Sequence, residues 1–401
     1  MNDTSDLHIR RVTSGPAHVV RWGSAPSFSA NSRWATWAIG LPPDERERME
    51  REKKPVWLAT GLLELVTGRE RRFDGVKSRS FDLSGRYLAL HGYAPDEPKG
   101  KGADLRILRL GSSDEITFGN VVEYAWSDAG SMLAFTVAAG TAAGNGVQVY
   151  DMSSGRLFPL DASGMTYRGL TWRKEGRDLA VLRSTGPAGG TGTSFTLLAF
   201  SSVGGTGSTA RTLELKTAGV ADTLELTEFQ RPRWSPEGNR IVIGLRPVPT
   251  TARATNSASR GDSTGKPAID SARAIASSRD TALPGVQIWH SLDVLIVPQQ
   301  QSRAVATGRR TLLAVWELAT NRVVQVSSDL AENATVLEGF RYGVERRTAR
   351  YPFGAKFGRR YLDIQSVDLT TGVRTAVVDS VRYSWDSGAG HYVLWYDGRD
   401  F

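Results

Sequence analysis

The sequence predicts an all-β chain folded as a β-propeller of four-stranded blades, and three observations predict it. An aromatic residue followed by a short polar turn and an apolar strand recurs at intervals of 45 to 62 residues. A second pattern, an alternating hairpin, follows the copies of the first. The apolar residues repeat with period two rather than 3.6, which disfavours a helical solenoid.

The elements follow in chain order. "DLHIRRVTSGPAHVVRW" (Asp6 to Trp22) reads as an outer hairpin with no inner pair before it. The first pattern then stands as "SFSANSRWATWAI" from Ser27, "SFDLSGRYLALHG" from Ser80 and "YAWSDAGSMLAFTV" from Tyr124. It returns as "LTWRKEGRDLAVL" from Leu170 and "PRWSPEGNRIVIGL" from Pro232, with a looser copy, "YSWDSGAGHYVLWYDG", from Tyr383. Its anchors Phe28, Phe81, Trp126, Trp172 and Trp234 are 53, 45, 46 and 62 residues apart, and Trp385 is the anchor of the looser copy. These aromatics are expected to fill the wedge between blades, a structural role rather than a ligand role. Gly85, Gly130, Gly176 and Gly238 fall where the turn calls for positive φ.

The outer hairpins are Leu62 to Phe73, Leu105 to Phe118, Val147 to Leu160, Leu313 to Val326 and Leu362 to Val378. Each alternates, breaks at a Ser/Thr/Asn/Gly turn and resumes with β-branched residues. The inner pairs are apolar at consecutive positions, as in Leu133-Ala134-Phe135 and Ile241-Val242-Ile243, because neighbouring blades sandwich them. Counting outer hairpins gives about seven blades with an eighth begun. Residues 1–401 are therefore read as one propeller domain, a fragment cut inside the ring at both ends.

Two insertions interrupt the repeat. Residues 42–54 lie within "PPDERERMEREKKPVW", which predicts a short solvated helix with Glu47/Arg51 and Glu50/Lys54 pairs at i, i+4. Residues 248–285 contain no aromatic residue and are dominated by Ala, Ser, Thr, Arg, Asp, Gly and Pro. That composition predicts a disordered surface insertion.

The 401 residues include no cysteine, which excludes disulfides, thiolate zinc sites and a cysteine nucleophile. No run approaches the length of a membrane span, and no membrane partner is expected. The N-terminus shows no apolar signal region, but for a fragment that leaves both cytoplasmic and extracytoplasmic locations open. The net charge of +8 is carried mostly by scattered arginines. One denser run, "RYGVERRTARYPFGAKFGRRY" (Arg341 to Tyr361), interleaves Arg with aromatics as a nucleic-acid groove would. It is read instead as adjacent strands with a solvated Arg face, and no nucleic-acid partner is expected.

"GDSTG" (Gly261 to Gly265) matches G-x-S-x-G, but Ser263 has neither the buried strand before it nor the helix after it that a nucleophile elbow needs. Ser263 is read as a coincidence, and no catalytic residue is assigned. None of His8, His18, His91, His290 and His391 has the i, i+4 partner of a helical zinc site, so no metal or cofactor is expected. His290, flanked by Trp289 and near Asp293, reads as a packed histidine, with a place at a domain interface as its functional alternative.

The copies "PSFSANSRWATWAI" and "WSPEGNRIVIGL" and the segment "VQIWHSLDVLIVPQQQ" together resemble the N-terminal β-propeller of prolyl oligopeptidase-family serine peptidases. This group includes dipeptidyl peptidase IV and acylaminoacyl peptidase, and the likeness is greatest to large bacterial members. It covers nearly the whole chain. The blade motif alone is shared with TolB; the Val286 to Asp293 segment, V-x-x-W-H-x-x-D, narrows it. "SANS" (Ser29 to Ser32) departs from the family's Asp-Gly turn. The resemblance implies a propeller that caps an α/β-hydrolase domain in cis and gates peptide substrates in transit. That domain is absent from this chain. The paired-glutamate motif by which some members hold a free N-terminus has no close match, so that specificity is not carried over. A free-standing TolB-like or WD-repeat-like scaffold is the alternative.

Overall fold

One hairpin turn, with a fixed hydrogen-bond pattern, sets the frame of the chain. The computed structural model describes residues 6–13, 15–95, 101–130, 132–140, 144–186, 194–248, 295, 297–352, 354 and 357–396. The chain divides into two compact units, Met1–Thr212 and Leu213–Phe401.

The first unit opens with the antiparallel pair β1 (Leu7–Ile9) and β2 (His18–Val20). Next, β3 (Gly23–Phe28), β4 (Trp34–Ile39), β5 (Ala59–Glu64) and β6 (Glu70–Phe73) form an antiparallel sheet in chain order. Helix α1 (Pro43–Arg51) is inserted between β4 and β5. The following sheet comprises β7 (Val76–Phe81), β8 (Tyr87–Gly92), β9 (Ala103–Arg109) and the start of β10 (Glu115–Trp126). β10 serves twice. Residues 115–118 pair with β9, and 123–126 pair with β11 (Met132–Val137), after a register shift at Val121. β12 (Gly146–Asp151) and β13 (Arg156–Ala162) complete the third sheet. β14 (Tyr167–Trp172), β15 (Leu179–Ser184), β16 (Phe195–Ser201) and β17 (Thr209–Leu213) form the fourth.

In the second unit, β18 (Leu224–Leu226) and β19 (Arg233–Trp234) both pair with β20 (Arg240–Pro247). Helix α2 (Val297–Gly308) precedes β21 (Leu312–Glu317), which joins β20 to β22 (Arg322–Gln325). β23 (Asn333–Val336), β24 (Tyr342–Arg347), β25 (Leu362–Asp368) and β26 (Arg374–Val381) make the next sheet. β27 (Tyr383–Asp386) and β28 (Val393–Tyr396) are a separate pair. Among the described residues, hydrogen bonds join β7 to β13 into one seven-stranded sheet, β3–β6 and β23–β26 form four-stranded sheets, and β1–β2 and β27–β28 are separate hairpins.

Burial follows strand position. β4 is buried along its whole length, whereas the outer strand β6 buries only Phe73. Successive sheets share cores: Met132 and Val149 of one pack with Leu170, Val181 and Leu198 of the next. In the second unit, Val242, Val315 and Val324 meet Val336, Phe340 and Val367. Continuous apolar runs are what strands covered on both faces require.

The turn between the first two strands of a sheet recurs seven times. Its first residue is Ser29, Asp82, Ser127, Arg173, Ser235, Leu337 or Ser387, and its N–H donates to the carbonyl five residues on. In six copies the N–H three residues on donates back to it. Ser29, Ser235 and Ser387 close the loop again by accepting the N–H five residues on at their hydroxyls; Asp82 does so with its carboxylate. Polar side chains in these turns therefore satisfy the backbone of their own hairpin.

Several expectations need correction. Gly85 and Gly238 hold positive φ, but Gly130 and Gly176 do not; Glu175 does so instead of Gly176, with φ 56. "SANS" forms the same turn as its neighbours, with Ser32 at φ 53 in the place of glycine. In α1 the ion pairs are Arg46–Glu50 and Arg48–Glu45, while Arg51 donates to the Glu47 carbonyl. Lys54 lies beyond the helix end, past Lys53 at φ 54, and pairs with Glu52. Of the described residues in the run 341–361 only Tyr342–Arg347 is strand, and Arg346 bonds Asp386 and Ser384 rather than facing solvent freely. The insertion at 248–285 lies outside the described residues, apart from Val248.

Candidate functional site

The aromatic anchors occupy three different environments. Trp172 and Trp234 are buried, at 9% and 6% exposure. Phe81 and Trp126 are half-buried against cores that successive sheets share. Trp126 donates from Nε1 to the Ser80 carbonyl at 3.3 Å, and Trp172 donates to that of Ala125 at 2.9 Å. These two carbonyls sit at equivalent positions of the preceding sheet, so each tryptophan ties its sheet to the last. Phe28 and Trp385 do not fill a wedge: they are 58% and 54% exposed. Trp385 stands one residue out of step, because its turn starts at Ser387 and the anchor position falls on Asp386. A one-residue shift in a strand moves a side chain to the opposite face. Ser263, Trp289, His290 and Asp293 lie outside the described residues.

No group of three or more His, Asp or Glu among the described residues could hold a metal ion. No helix among them is long and apolar enough to cross a membrane.

The structure brings together a different set of residues in the first unit. A cleft of about 390 Å3 is lined by Lys77 of β7, His91 and Gly92 of β8, Lys101 just before β9, Val121 and Val122 of β10, and Arg168 of β14. It owes its shape to irregular strands. The register of β7 shifts between Val76 and Ser78, leaving Lys77 as the extra residue. β10 shifts between Val121 and Glu123, leaving Val122, and β14 shifts between Arg168 and Thr171. Bulges of this kind re-aim side chains and concentrate next to functional sites. Lys77, Val122 and Arg168 occupy one repeat position, four residues before Phe81, Trp126 and Trp172.

His91 is buried at the base of the cleft. Its Nε2–H donates to the Val121 carbonyl at 2.9 Å, and the Tyr124 ring meets it edge-on with centroids 5.7 Å apart. Burial holds its pKa below the ordinary imidazole value; the Val121 bond opposes that, and the Lys77 charge adds to it. Imidazole is therefore neutral near pH 7. Burial also raises the Tyr124 hydroxyl pKa, although hydrogen bonds from Ser80 and Ser78 and the charge of Arg79 oppose it. Arg79, two residues along β7 from Lys77, has a half-buried guanidinium with its pKa lowered by burial. It donates to the Ala25 carbonyl, and its buried Nε has no hydrogen-bond partner. Among the described residues lining the cleft, none is a serine, threonine, tyrosine or carboxylate.

Sequence reasoning missed this cleft because its cations stand at positions 77, 101 and 168, far apart along the chain. Aligning the repeats on their turns and reading the position four before each anchor would have found two of them.

No protein-family model matches the sequence, and no curated protein matches it. Among solved structures, the chain is similar to Kuenenia stuttgartiensis hydrazine synthase, at 13% identity over 59% of this chain and 65% of that one, with a TM-score of 0.35. It is similar to one of two prolyl endopeptidases studied for inter-domain dynamics, at 12% identity over 94% of this chain and 46% of that one, TM-score 0.41. It is also similar to the β-propeller domain of the Trilobed protease from Pyrococcus furiosus, at 7% identity over 94% and 93% of the two chains, TM-score 0.38. The chain thus spans less than two thirds of the hydrazine synthase chain and under half of the prolyl endopeptidase. These values assign the chain to no family.

Proposed function

We propose that the chain is the propeller part of a prolyl oligopeptidase-like serine peptidase, a non-catalytic array that caps an α/β-hydrolase domain and gates peptides on their way to it. The supporting observation is the repeated turn: "WSPEGNRIVIGL", which carries the family resemblance, holds one of seven copies that share the bond from the first N–H to the carbonyl five residues on. In this reading the blades restrict passage, and the chemistry belongs to a domain encoded elsewhere in the same protein. The test is to read the native transcript beyond the Phe401 codon. An open frame of roughly 250 residues or more, the size of an α/β catalytic domain, is expected. It should carry G-x-S-x-G after an apolar strand, with later Asp and His.

A stop codon at that point overturns the peptidase reading and leaves the second one, a free-standing interaction scaffold. One feature favours that alternative. Tyr383, Trp385, Tyr392 and Leu394 of the β27–β28 hairpin and its turn are more than half exposed, an apolar surface of the kind that marks contact sites.

A further inference from the structure

We infer that the outward face of the β27–β28 hairpin is a dimer interface, which meets the same face of a second copy of this chain. Tyr383 and Trp385 of β27 pair directly across from Tyr396 and Leu394 of β28, so these four side chains share one face. Their rings lie together: Tyr383 stacks on Trp385 with centroids 6.2 Å apart and on Tyr396 at 6.4 Å. Tyr392, two residues before Leu394, extends the same face. Tyr383, Trp385, Tyr392 and Leu394 are all more than half exposed. The opposite face is already occupied. There Arg346 donates to the Ser384 hydroxyl at 2.8 Å and to Asp386 at 2.6 Å. Val393 joins the core of Leu337, Val344, Ile364 and Val381 on that side.

The repeat shows what kind of surface belongs against the exposed face. Seven residues after the first residue of each turn stand Thr36, Ala89, Ala134, Ala180, Val242 and Val344, each at most 1% exposed. The seventh copy has Leu394 there, at 67%. Ala89 shares a core with Leu133 and Phe135 of the following repeat, and Ala134 with Leu170 and Val181. Val242 does so with Val336 and Val367, and Val344 with Val393 of β28 itself. In each case the cover is the apolar face of another strand pair, as strands buried on both sides require. A second copy supplies such a face in matching size and chemistry, because a two-fold axis sets a patch against itself. The composition suits that role. Aromatic side chains are enriched and charged ones depleted at the centre of interfaces, where Trp and Tyr carry much of the binding energy. Arg382, with its guanidinium 5.8 Å from the Tyr383 ring, adds a polar group at the start of β27. The inference is independent of the peptidase reading, and it goes beyond the scaffold reading by naming the partner.

The test is light scattering on the purified 401-residue chain after size exclusion. The concentration series should run up to about 100 μM, enough to populate a dimer of micromolar affinity. A mass rising to twice that of one chain is expected. Trp385→Lys and Leu394→Lys change exposed side chains, so both should fold, which circular dichroism and thermal melts check. Each should weaken dimerisation by roughly tenfold or more. Leu83→Lys, at an exposed apolar residue of a turn in the first unit, should leave it unchanged. A monomer throughout the series overturns the inference and leaves the face to a different occupant. Masses beyond the dimer mark a head-to-tail contact and overturn it as well. So does a dimer that survives both hairpin variants, because its interface then lies elsewhere.

Discussion

His91 shows how one buried side chain ties the cleft to the stability of its sheets. Its ring is 7% exposed, donates to Val121 and stands beside Lys77 and Tyr124. Burial, then the Lys77 charge, disfavour the imidazolium, so the folded pKa lies below the ordinary value of about 6.5 that the unfolded chain retains. Below that value the unfolded chain binds a proton that the folded chain refuses. The stability is therefore fully present above about pH 6.5 and is lost as pH falls through the folded pKa. His91→Gln keeps a side-chain N–H for the Val121 carbonyl and cannot titrate. Urea midpoints measured from neutral pH downward should show the wild type losing stability relative to this variant, with the gap opening only below about pH 6.5. Parallel curves would show that His91 ionises in the folded chain as it does in the unfolded one.

The sheet β3–β6 depends on a fit between two neighbouring strands. Trp37 of β4 is fully buried and pairs directly across from Gly61 of β5. A Cβ built on Gly61 would press into the indole at Cε2, well inside contact distance. The Gly61 carbonyl also accepts the Thr36 hydroxyl at 2.8 Å, which holds β5 against β4. Gly61→Ala should therefore cost about 1 to 3 kcal/mol of stability in urea unfolding, the usual penalty of overpacking a core. Combining it with Trp37→Leu should cost less than the two changes added together, because the smaller side chain vacates the space. An unchanged midpoint in Gly61→Ala would refute the fit. Elements such as β5–β6 and β12–β13 were legible because period-two alternation broke at Gly or Ser-rich turns. Helix α1 was legible from its Pro-Pro-Asp start. The pair β23–β24 was not legible, since Val336 stands at the aromatic anchor position and Phe340 holds φ 49 where glycine is usual. Burial of the Phe340 ring among Val242, Val336 and Val367 offsets that backbone strain, and no local sequence rule reveals it. Nor was α2 foreseen: its Gln-Gln-Gln-Ser-Arg-Ala run has no alternation, and most of it is exposed.

Across the chain, the repeat was readable because each copy writes the same turn in similar letters. The cleft was not, because Lys77, Lys101 and Arg168 are far apart along the chain and meet only in the fold. That contrast bears on "GDSTG", where the letters suggest chemistry and the context does not. Ser263 lies in a stretch, 248–285, without one aromatic residue and with few large aliphatics. A nucleophile elbow needs an apolar strand that drives the serine into a strained turn and a helix whose N-terminus faces the developing charge. Residues Thr255 to Gly261 and Lys266 to Ala272 carry neither an apolar strand run nor a helical stripe. Without a base and an oxyanion hole, a serine hydroxyl is a weak nucleophile at neutral pH. The purified chain should therefore remain unlabelled by a fluorophosphonate probe under conditions that label a serine hydrolase added as a control. Labelling that disappears in Ser263→Ala would overturn this and make the stretch a catalytic segment. Labelling that persists in Ser263→Ala would place a reactive hydroxyl elsewhere in the chain, and would equally defeat the non-catalytic reading.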